Sequence, residues 1–266
     1  MILMTIFALA WDGECLYVAR AGGVDIYRDG RRVGSLGDDP RTVTCLAASG
    51  GRVAEGGGRA GERGQVRIWK AGRLLRTVEI HDDLVYGLAW SGDTLYTAGG
   101  DKTVGVIDVA SGETKRLEGH TGAVLAVAAR GATLVSGGAD GTIRVWEEGK
   151  LIRTISNHTA AVHALAFSPD GETLASGSAD RTVRIWQIGR GRLLKIIRGH
   201  HGTVTDLAWQ GDRLWSACAD GKGRRLDVEA AAVAEVVDRG ADWLHAVRVA
   251  GDRVCFGPAS GELLWR

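Results

Sequence analysis

A histidine, a serine and an aspartate recur at similar spacing along the chain, and together they are the residue types of a hydrolytic triad. The first such set is His120, Ser136 and Asp140. In a triad the histidine accepts the proton of the serine hydroxyl, while the aspartate orients the imidazole ring. A catalytic centre needs one copy, whereas this set recurs, and the sequence has no G-x-S-x-G turn to present the serine. The repetition therefore favours a structural role over catalysis.

The spacing of the histidines and cysteines gives little support for a metal-binding or cofactor-binding site. The seven histidines include no H-E-x-x-H or H-x-x-x-H pair of the kind that binds zinc. The cysteines stand singly, without a C-x-x-C pair, and we expect them to be reduced thiols. They are Cys15, Cys45, Cys218 and Cys255. The sequence therefore predicts no metal site, no cofactor and no catalytic residue.

The charge balance also narrows the classes of partner. Lys plus Arg number 33 and Asp plus Glu number 32, so the net charge is +1 and no strong field attracts nucleic acid. Basic stretches at residues 190–198 and 222–225 lack the interleaved aromatic residues on which bases stack. The apolar start, residues 1–4, has no basic flank, and no segment is long enough to span a bilayer. These features disfavour nucleic acid and membrane partners and predict a cytoplasmic protein.

Four segments repeat the same order of elements. They begin at His81, His120, His158 and His200, about forty residues apart, which is the period of a four-stranded propeller blade. Each contains short runs of alternating apolar and polar residues between Gly- and Asp-rich turns, a pattern typical of β-strands. With three weaker units, the sequence predicts an all-β, seven-bladed β-propeller in one domain. Its predicted units are residues 1–36, 37–80, 81–119, 120–157, 158–199, 200–240 and 241–266.

These units resemble the WD-repeat family over essentially the whole chain, most strongly in residues 81–227. In that family a histidine before the first strand, a serine or threonine on the second, an aspartate in the next turn and a tryptophan on the third form a hydrogen-bonded tetrad. Two units match at all four positions: His120, Ser136, Asp140 and Trp146, and His158, Ser176, Asp180 and Trp186. The resemblance implies that the tetrads are structural, because an unpaired buried polar group costs about 1–3 kcal/mol.

Other units depart from the tetrad pattern. The third unit has His81, Thr97 and Asp101 but Ile107 in place of the tryptophan. The sixth unit has a histidine, a serine and an aspartate at the matching positions, but Leu226 replaces the tryptophan. Units one, two and seven lack the tetrad, so their internal register is less certain.

The resemblance further implies a non-enzymatic scaffold that binds proteins or peptides through its top face, the side of the ring on which the innermost strand of each blade begins. Alignment of the units places one residue per blade just after the first apolar residue of that strand: Phe7, Thr44, Tyr86, Leu125, His163, Thr205 and His245. The predicted partner-binding residues are Phe7, Leu84, Tyr86, Leu125, His163, Trp243 and His245. Aromatic residues are enriched at interface hot spots. The alternative is a propeller enzyme of hydrolase or lactonase type, with its site in the central channel.

Closure of the ring is the last expectation. The sequence ends where a third strand ends, and residues 1–4 lead directly into the first innermost strand, so we expect a three-stranded seventh blade. We expect apolar packing between blades 1 and 7 to close the ring, with Trp11, Cys15, Val254 and Phe256 as candidates. The edge near Leu263 and Leu264 would then be open to strand addition by a partner or a second copy.

Overall fold

The structure, a computed structural model, describes residues 6–58, 62–238, 240 and 242–266. Within these residues the chain forms β-strands in antiparallel pairs, a short 3-10 helix at Ile188–Arg190 and no α-helix. The strands build seven blades in a propeller ring, so the predicted fold class is confirmed.

Blades 1 and 2 share one sheet of six strands. These are β1 (Ile6–Asp12), β2 (Cys15–Arg28), β3 (Arg31–Ser49), β4 (Arg52–Gly58), β5 (Gly64–Lys70) and β6 (Arg73–His81). Strand β2 pairs with β1 through residues 15–20 and with β3 through residues 21–28. Strand β3 pairs with β2 as far as Thr42 and with β4 from Thr42 onward. Each of the two long strands, β2 and β3, therefore takes the place of two consecutive strands of regular four-stranded blades.

Blades 3 to 6 are four separate sheets of four strands each. Blade 3 contains β7 (Val85–Ser91), β8 (Thr94–Gly99), β9 (Val104–Asp108) and β10 (Thr114–Leu117). Blade 4 contains β11 (Val124–Arg130), β12 (Thr133–Gly138), β13 (Ile143–Glu147) and β14 (Lys150–Ile155). Blade 5 contains β15 (Val162–Phe167), β16 (Thr173–Ser178), β17 (Val183–Gln187) and β18 (Arg192–Ile197). Blade 6 contains β19 (Val204–Gln210), β20 (Arg213–Cys218), β21 (Lys222–Asp227) and β22 (Ala232–Asp238).

The described residues of blade 7 form three strands, as predicted: β23 (Leu244–Ala250), β24 (Arg253–Pro258) and β25 (Leu264–Trp265). Beyond β25, Arg266 still exchanges two backbone hydrogen bonds with Val254, of 2.9 and 3.0 Å. The Arg266 guanidinium also donates to the Glu235 carboxylate at 2.6 and 3.0 Å and so ties blade 7 to blade 6. Residues 1–4 lie outside the described residues, and strand addition near Leu263 stays a prediction.

Every innermost strand carries a β-bulge near its start. In blade 4, for example, Val124 pairs with Gly138 and Ala126 pairs with Gly137, so Leu125 has no partner residue on β12. The same register shift occurs in all seven blades. A bulge redirects the side chain of the unpaired residue, so each blade turns one side chain out of its regular pleat.

Neighbouring blades pack through glycines of the second strand. A β-carbon built on Gly177 would lie only 2.6 Å from Val204 Cγ1, on the innermost strand of the next blade. At the closure of the ring, a β-carbon on Gly257 would lie 2.7 Å from Ile6 Cγ2. Blade 7 therefore meets blade 1 as blade 5 meets blade 6, through a glycine that a methyl group would crowd, whereas Ala98 and Ala217 take this position in blades 3 and 6.

The predicted apolar contact between blades 1 and 7 is present, and Trp11 belongs to it. Ile6 and Leu9 pack with Cys255. The Trp11 and Trp265 rings pack in a T-shaped, edge-to-face arrangement, with ring centroids 5.9 Å apart and an interplanar angle of 87°.

The other three residues predicted for this contact are corrected by the structure. Val254 and Phe256 face blade 6, where they pack with Trp215. Successive side chains on a strand point to opposite faces, so Cys255 is the residue of β24 that faces blade 1. Cys15 is only half-buried, outside this cluster, and its sulfur accepts a long hydrogen bond of 3.6 Å from Arg28.

Candidate functional site

The two complete tetrads are continuous hydrogen-bonded chains. In blade 5 the Trp186 indole N–H donates to Ser176 Oγ at 2.8 Å, and Ser176 Oγ lies 2.7 Å from His158 Nε2. His158 Nδ1 lies 2.7 Å from the Asp180 carboxylate. This carboxylate also accepts hydrogen bonds from Thr182, from its backbone N–H and from its hydroxyl. The chain therefore ties the third strand, the second strand and the following turn to the loop that enters the blade.

Blade 4 repeats this geometry with distances close to those of blade 5. His120 lies 2.8 Å from Ser136 Oγ and 2.9 Å from the Asp140 carboxylate, and the Trp146 indole N–H donates to Ser136 Oγ at 2.8 Å. The histidine, serine and aspartate have the mutual distances of a hydrolytic triad. Ser136 is nevertheless fully buried, so a substrate carbonyl has no access to its oxygen. The arrangement satisfies polar groups and offers no accessible nucleophile.

The electrostatics of the tetrads agree with a structural role. Burial lowers the pKa of His158, although the Asp180 carboxylate opposes that shift. Burial acts to raise the pKa of Asp180, but hydrogen bonds from Thr182 and His158 outweigh it and lower this pKa to about 2. At neutral pH the pair is therefore a neutral imidazole beside a carboxylate.

Blade 3 compensates for its missing tryptophan. His81 lies 2.6 Å from Thr97 Oγ1 and 3.0 Å from the Asp101 carboxylate, so the other three members are joined. The space is filled from the preceding strand, because a β-carbon on Gly105 would lie 2.6 Å from Ile80 Cδ1. Ile80 and Ile107 are both buried in the same cluster.

Blade 2 contains a substitute that the sequence analysis missed. Glu55 occupies the place on the second strand that Ser136 takes in blade 4, and it is 2% exposed. It accepts a 2.8 Å hydrogen bond from the Trp69 indole N–H and forms a 2.6 Å ion pair with Arg67. The signal that could have revealed it is the alignment of an acid with the tetrad serine.

The structure brings the ring of seven aligned residues together. All seven bulge residues line one cavity of about 140 Å³ at the mouth of the central channel on the top face. They are Phe7, Thr44, Tyr86, Leu125, His163, Thr205 and His245. The bulges explain this placement, because each one turns a side chain of the innermost strand toward the mouth.

An aromatic patch extends from this mouth over blades 7 and 1; we define it as Phe7, Trp243 and His245. The Trp243 and His245 rings are stacked, with centroids 5.7 Å apart and an interplanar angle of 8°. Phe7 meets His245 at 6.2 Å. Trp243 is 47% exposed, and Tyr86 on blade 3 is 38% exposed. Large apolar side chains are therefore accessible on this face.

The remaining predicted residues are less exposed. Leu84 and Leu125 are half-buried, as is His163, which faces the mouth from blade 5. Burial lowers the pKa of both His163 and His245, so their imidazoles are neutral at pH 7. The ring therefore combines aromatic, aliphatic and neutral polar groups without a formal charge.

Two threonines of the ring are used within the fold. The Thr205 hydroxyl donates to the Leu244 carbonyl at 2.6 Å, and the Thr44 hydroxyl donates to the carbonyl of Val85. Each bond joins an innermost strand to that of the next blade. These two side chains stabilise the wall of the channel, and neither was among the predicted partner-binding residues.

A charged pair inside the channel was also missed. The Asp206 carboxylate accepts a 2.9 Å hydrogen bond from the Val247 backbone N–H and pairs with Arg248. Both residues border the cavity at the top mouth and the one at the other end of the channel. Blades 4 and 5 have Ala126 and Ala164 at the place of Asp206, and that contrast is the signal an alignment could have used.

No metal-binding cluster is found in the part of the chain that the structure describes. No group of three or more His, Cys, Asp or Glu side chains there could hold a metal ion. Burial raises the pKa of the Cys45 and Cys255 thiols to about 12, which keeps them protonated and poorly nucleophilic. None of the described helical residues forms a helix of the length and apolarity that crossing a membrane requires.

Comparisons with known proteins agree with this geometry. The family model described as WD domain, G-beta repeat matches residues 72–108, 112–147, 149–187 and 191–224, which is more than half of the chain. The B-type cell cycle switch protein ccs52A of Medicago truncatula and Protein FIZZY-RELATED 2 of Arabidopsis thaliana are each 35% identical over 114 residues. That match takes in 40% of this chain and 24% of each relative, so it spans about a quarter of their length.

The fold comparison covers almost the whole chain. A chain in a crystal structure of a mitotic checkpoint complex superposes with a TM-score of 0.87 at 21% identity, over 98% of this chain and 86% of that one. Fold and tetrads together define a seven-bladed propeller in which complete buried tetrads fasten blades 4 and 5 at their entrances. The chain belongs to the WD40 repeat family.

Proposed function

We propose that this chain is a non-enzymatic scaffold that binds another protein through the top face of the propeller. The observation that carries the proposal is the aromatic patch Phe7, Trp243 and His245 at the mouth of the channel, where Trp243 is 47% exposed. Exposed aromatic side chains in contact with one another are typical of interface hot spots.

The comparisons support a role in assembly. The superposed chain comes from a protein complex, and the curated relatives are named as a cell cycle switch protein and a FIZZY-RELATED protein. The burial of Ser136 and Ser176 supports this choice over the hydrolase alternative, because neither hydroxyl is accessible. The ring of bulge residues is uncharged, and Asp206 and Arg248 at the same cavity pair with each other, so the mouth offers no net positive charge to a phosphate backbone. This favours a protein or peptide over a nucleic acid.

The test is quantitative affinity capture from a lysate of the source organism, followed by direct binding measurements on the purified partner. The double variant Tyr86→Ala and Trp243→Ala should weaken binding at least about tenfold, since removal of a hot-spot residue costs about 2 kcal/mol or more. The matched control is Ile152→Ala, because Ile152 is 52% exposed on an outer strand. The control should bind normally and melt like the wild type. Equal affinity of both variants would contradict the proposal.

A further inference from the structure

Blade 6 lacks the tryptophan of blades 4 and 5, and its surroundings do not fill the resulting space. In blade 4 the loop residue Gly119 would bring a β-carbon to 3.4 Å from Trp146 Cη2. In blade 6 the matching glycine is Gly199, and a β-carbon there meets only Val233 Cγ2, at 3.0 Å. Leu226 does not reach it. In blade 3, Ile80 fills the corresponding space, whereas blade 6 has Gly199 at the position of Ile80.

The result is an open groove of about 500 Å³ between the outer parts of blades 5 and 6. Ile196 of β18 lies on one side, and Val233 and Val236 of β22 lie on the other. Val236 is 50% exposed. We call this the blade 5–6 groove.

The charge of the groove is one-sided. Its described lining residues include Arg198, His201, Lys222 and Arg224 and no acid, although the whole chain has nearly equal numbers of acids and bases. Arg198 and His201 are exposed, and neither side chain has an ion pair or hydrogen bond among the described residues. Among the described residues, the Lys222 ammonium forms one ion pair, with the exposed Asp238 at 2.9 Å.

Arg224 lies at the base of the groove. Arg224 is 2% exposed, and its Nε has no hydrogen-bond partner among the described residues. Its two terminal nitrogens hold Asp220 at 3.0 and 2.6 Å. His200 Nδ1 is therefore left without the aspartate that pairs with the tetrad histidines of blades 3 to 5. Arg224 is thus a buried cation that Asp220 already pairs, and its unpartnered Nε has a counterpart in Arg144 of blade 4. The charge available to a ligand is therefore that of the groove's more exposed cations, Arg198 and Lys222.

We propose that the blade 5–6 groove binds an extended acidic segment of a partner protein. Carboxylates of the segment pair with Arg198 and Lys222, and aliphatic side chains between them pack on Ile196, Val233 and Val236. Charge complementarity selects the acidic peptide, and the apolar walls favour a peptide over a uniformly charged polyanion. The inference extends the proposed scaffold function to a second surface, on the rim of the ring and separate from the top face.

The experiment uses the full chain and fluorescein-labelled ten-residue peptides of alternating Glu and Leu, with Lys–Leu and Gln–Leu versions as controls, read by fluorescence anisotropy. The Glu–Leu peptide should bind, and its affinity should fall between 50 and 300 mM salt (on the order of a fewfold) because the charges are exposed. Equal binding of the Lys–Leu or Gln–Leu peptide, or no binding, would overturn the proposal. So would equal binding of ten-residue single-stranded DNA, which would assign the groove to a nucleic acid.

Two variants locate the site. Leu226→Trp restores the residue of blades 4 and 5, whose partner serine is present here as buried Ser216. It should fill the groove and weaken peptide binding about tenfold, equivalent to 1.4 kcal/mol. Arg198→Glu changes only an exposed side chain, so the fold is retained, and it should weaken binding to a similar degree. Arg73→Glu makes the same change of charge on an exposed residue of β6 and should bind like the wild type.

The top-face variant separates this inference from the proposed function. Tyr86→Ala with Trp243→Ala should leave binding of the Glu–Leu peptide unchanged, while Leu226→Trp should leave binding of the top-face partner unchanged. Undiminished peptide binding by folded Leu226→Trp and by Arg198→Glu would refute the groove and leave the top-face proposal standing.

Discussion

Removal of the tetrad serine tests whether the tetrads act as hydrogen-bonded units, and the protein supplies its own matched comparison. Ser176 is fully buried and contacts two groups, the Trp186 indole N–H at 2.8 Å and His158 Nε2 at 2.7 Å. Ser216 is equally buried, but its one side-chain hydrogen bond among the described residues is to His200 Nε2, at 2.9 Å, because Leu226 replaces the tryptophan.

The magnitudes follow from the number of groups left without a partner. An unsatisfied buried donor or acceptor costs about 1–3 kcal/mol. Ser176→Ala leaves two such groups and should lower the free energy of unfolding by about 3 kcal/mol, whereas Ser216→Ala leaves one and should lower it by about 1.5 kcal/mol. At about 2–4 °C per kcal/mol, the two variants should differ in melting temperature by about 3–6 °C.

The assay is guanidinium unfolding followed by tryptophan fluorescence and by circular dichroism, with thermal melting alongside. Ser35→Ala serves as the control, since Ser35 is exposed and makes no side-chain hydrogen bond among the described residues; it should change stability by less than about 0.5 kcal/mol. Equal destabilisation by Ser176→Ala and Ser216→Ala would refute the reasoning. Unchanged stability with loss of an esterase activity would refute the structural role altogether.

Three further predictions concern packing, pH and the blade 2 substitute. Gly177→Ala should destabilise the fold by about 1–3 kcal/mol, because the new methyl group would lie 2.6 Å from Val204 Cγ1; Gly34→Ala, with nothing within 4 Å, should be near neutral in the same unfolding assay. The free energy of unfolding should be level between about pH 7 and pH 8 and fall on acidification, first below about pH 6.5 because the pKa of His158 is lower in the folded state. It should fall again from about pH 4 towards pH 2 as the Asp180 carboxylate, with its pKa lowered to about 2, gains its proton; a stability maximum at pH 5 would contradict this order. Glu55→Ala should cost about 3–5 kcal/mol because it removes the ion pair with the partly buried Arg67 and the hydrogen bond from the Trp69 indole, and a loss below 1 kcal/mol in urea unfolding would contradict this.

The fold and much of the candidate site could be predicted from the sequence, for a local reason. Strand alternation and turn residues are set within each forty-residue unit, and every unit meets the same surroundings on both sides. The alignment therefore placed Phe7, Tyr86 and His245 at the mouth without any knowledge of the bulges. It also paired His158 with Ser176, because the tetrad joins residues of a single repeat.

Features that depend on two blades at once were decided only by the tertiary structure. The orientation of Val254 and Phe256 toward blade 6 depends on the register of β24, which a one-residue shift inverts. The groove beside Gly199 depends on the loop from the previous blade, which leaves open the space that Leu226 does not reach, whereas Ile107 packs against Ile80 from the corresponding loop. The sequence shows that a smaller side chain replaces a tryptophan. Whether the vacated space stays open depends on the residues of the neighbouring blade that pack there.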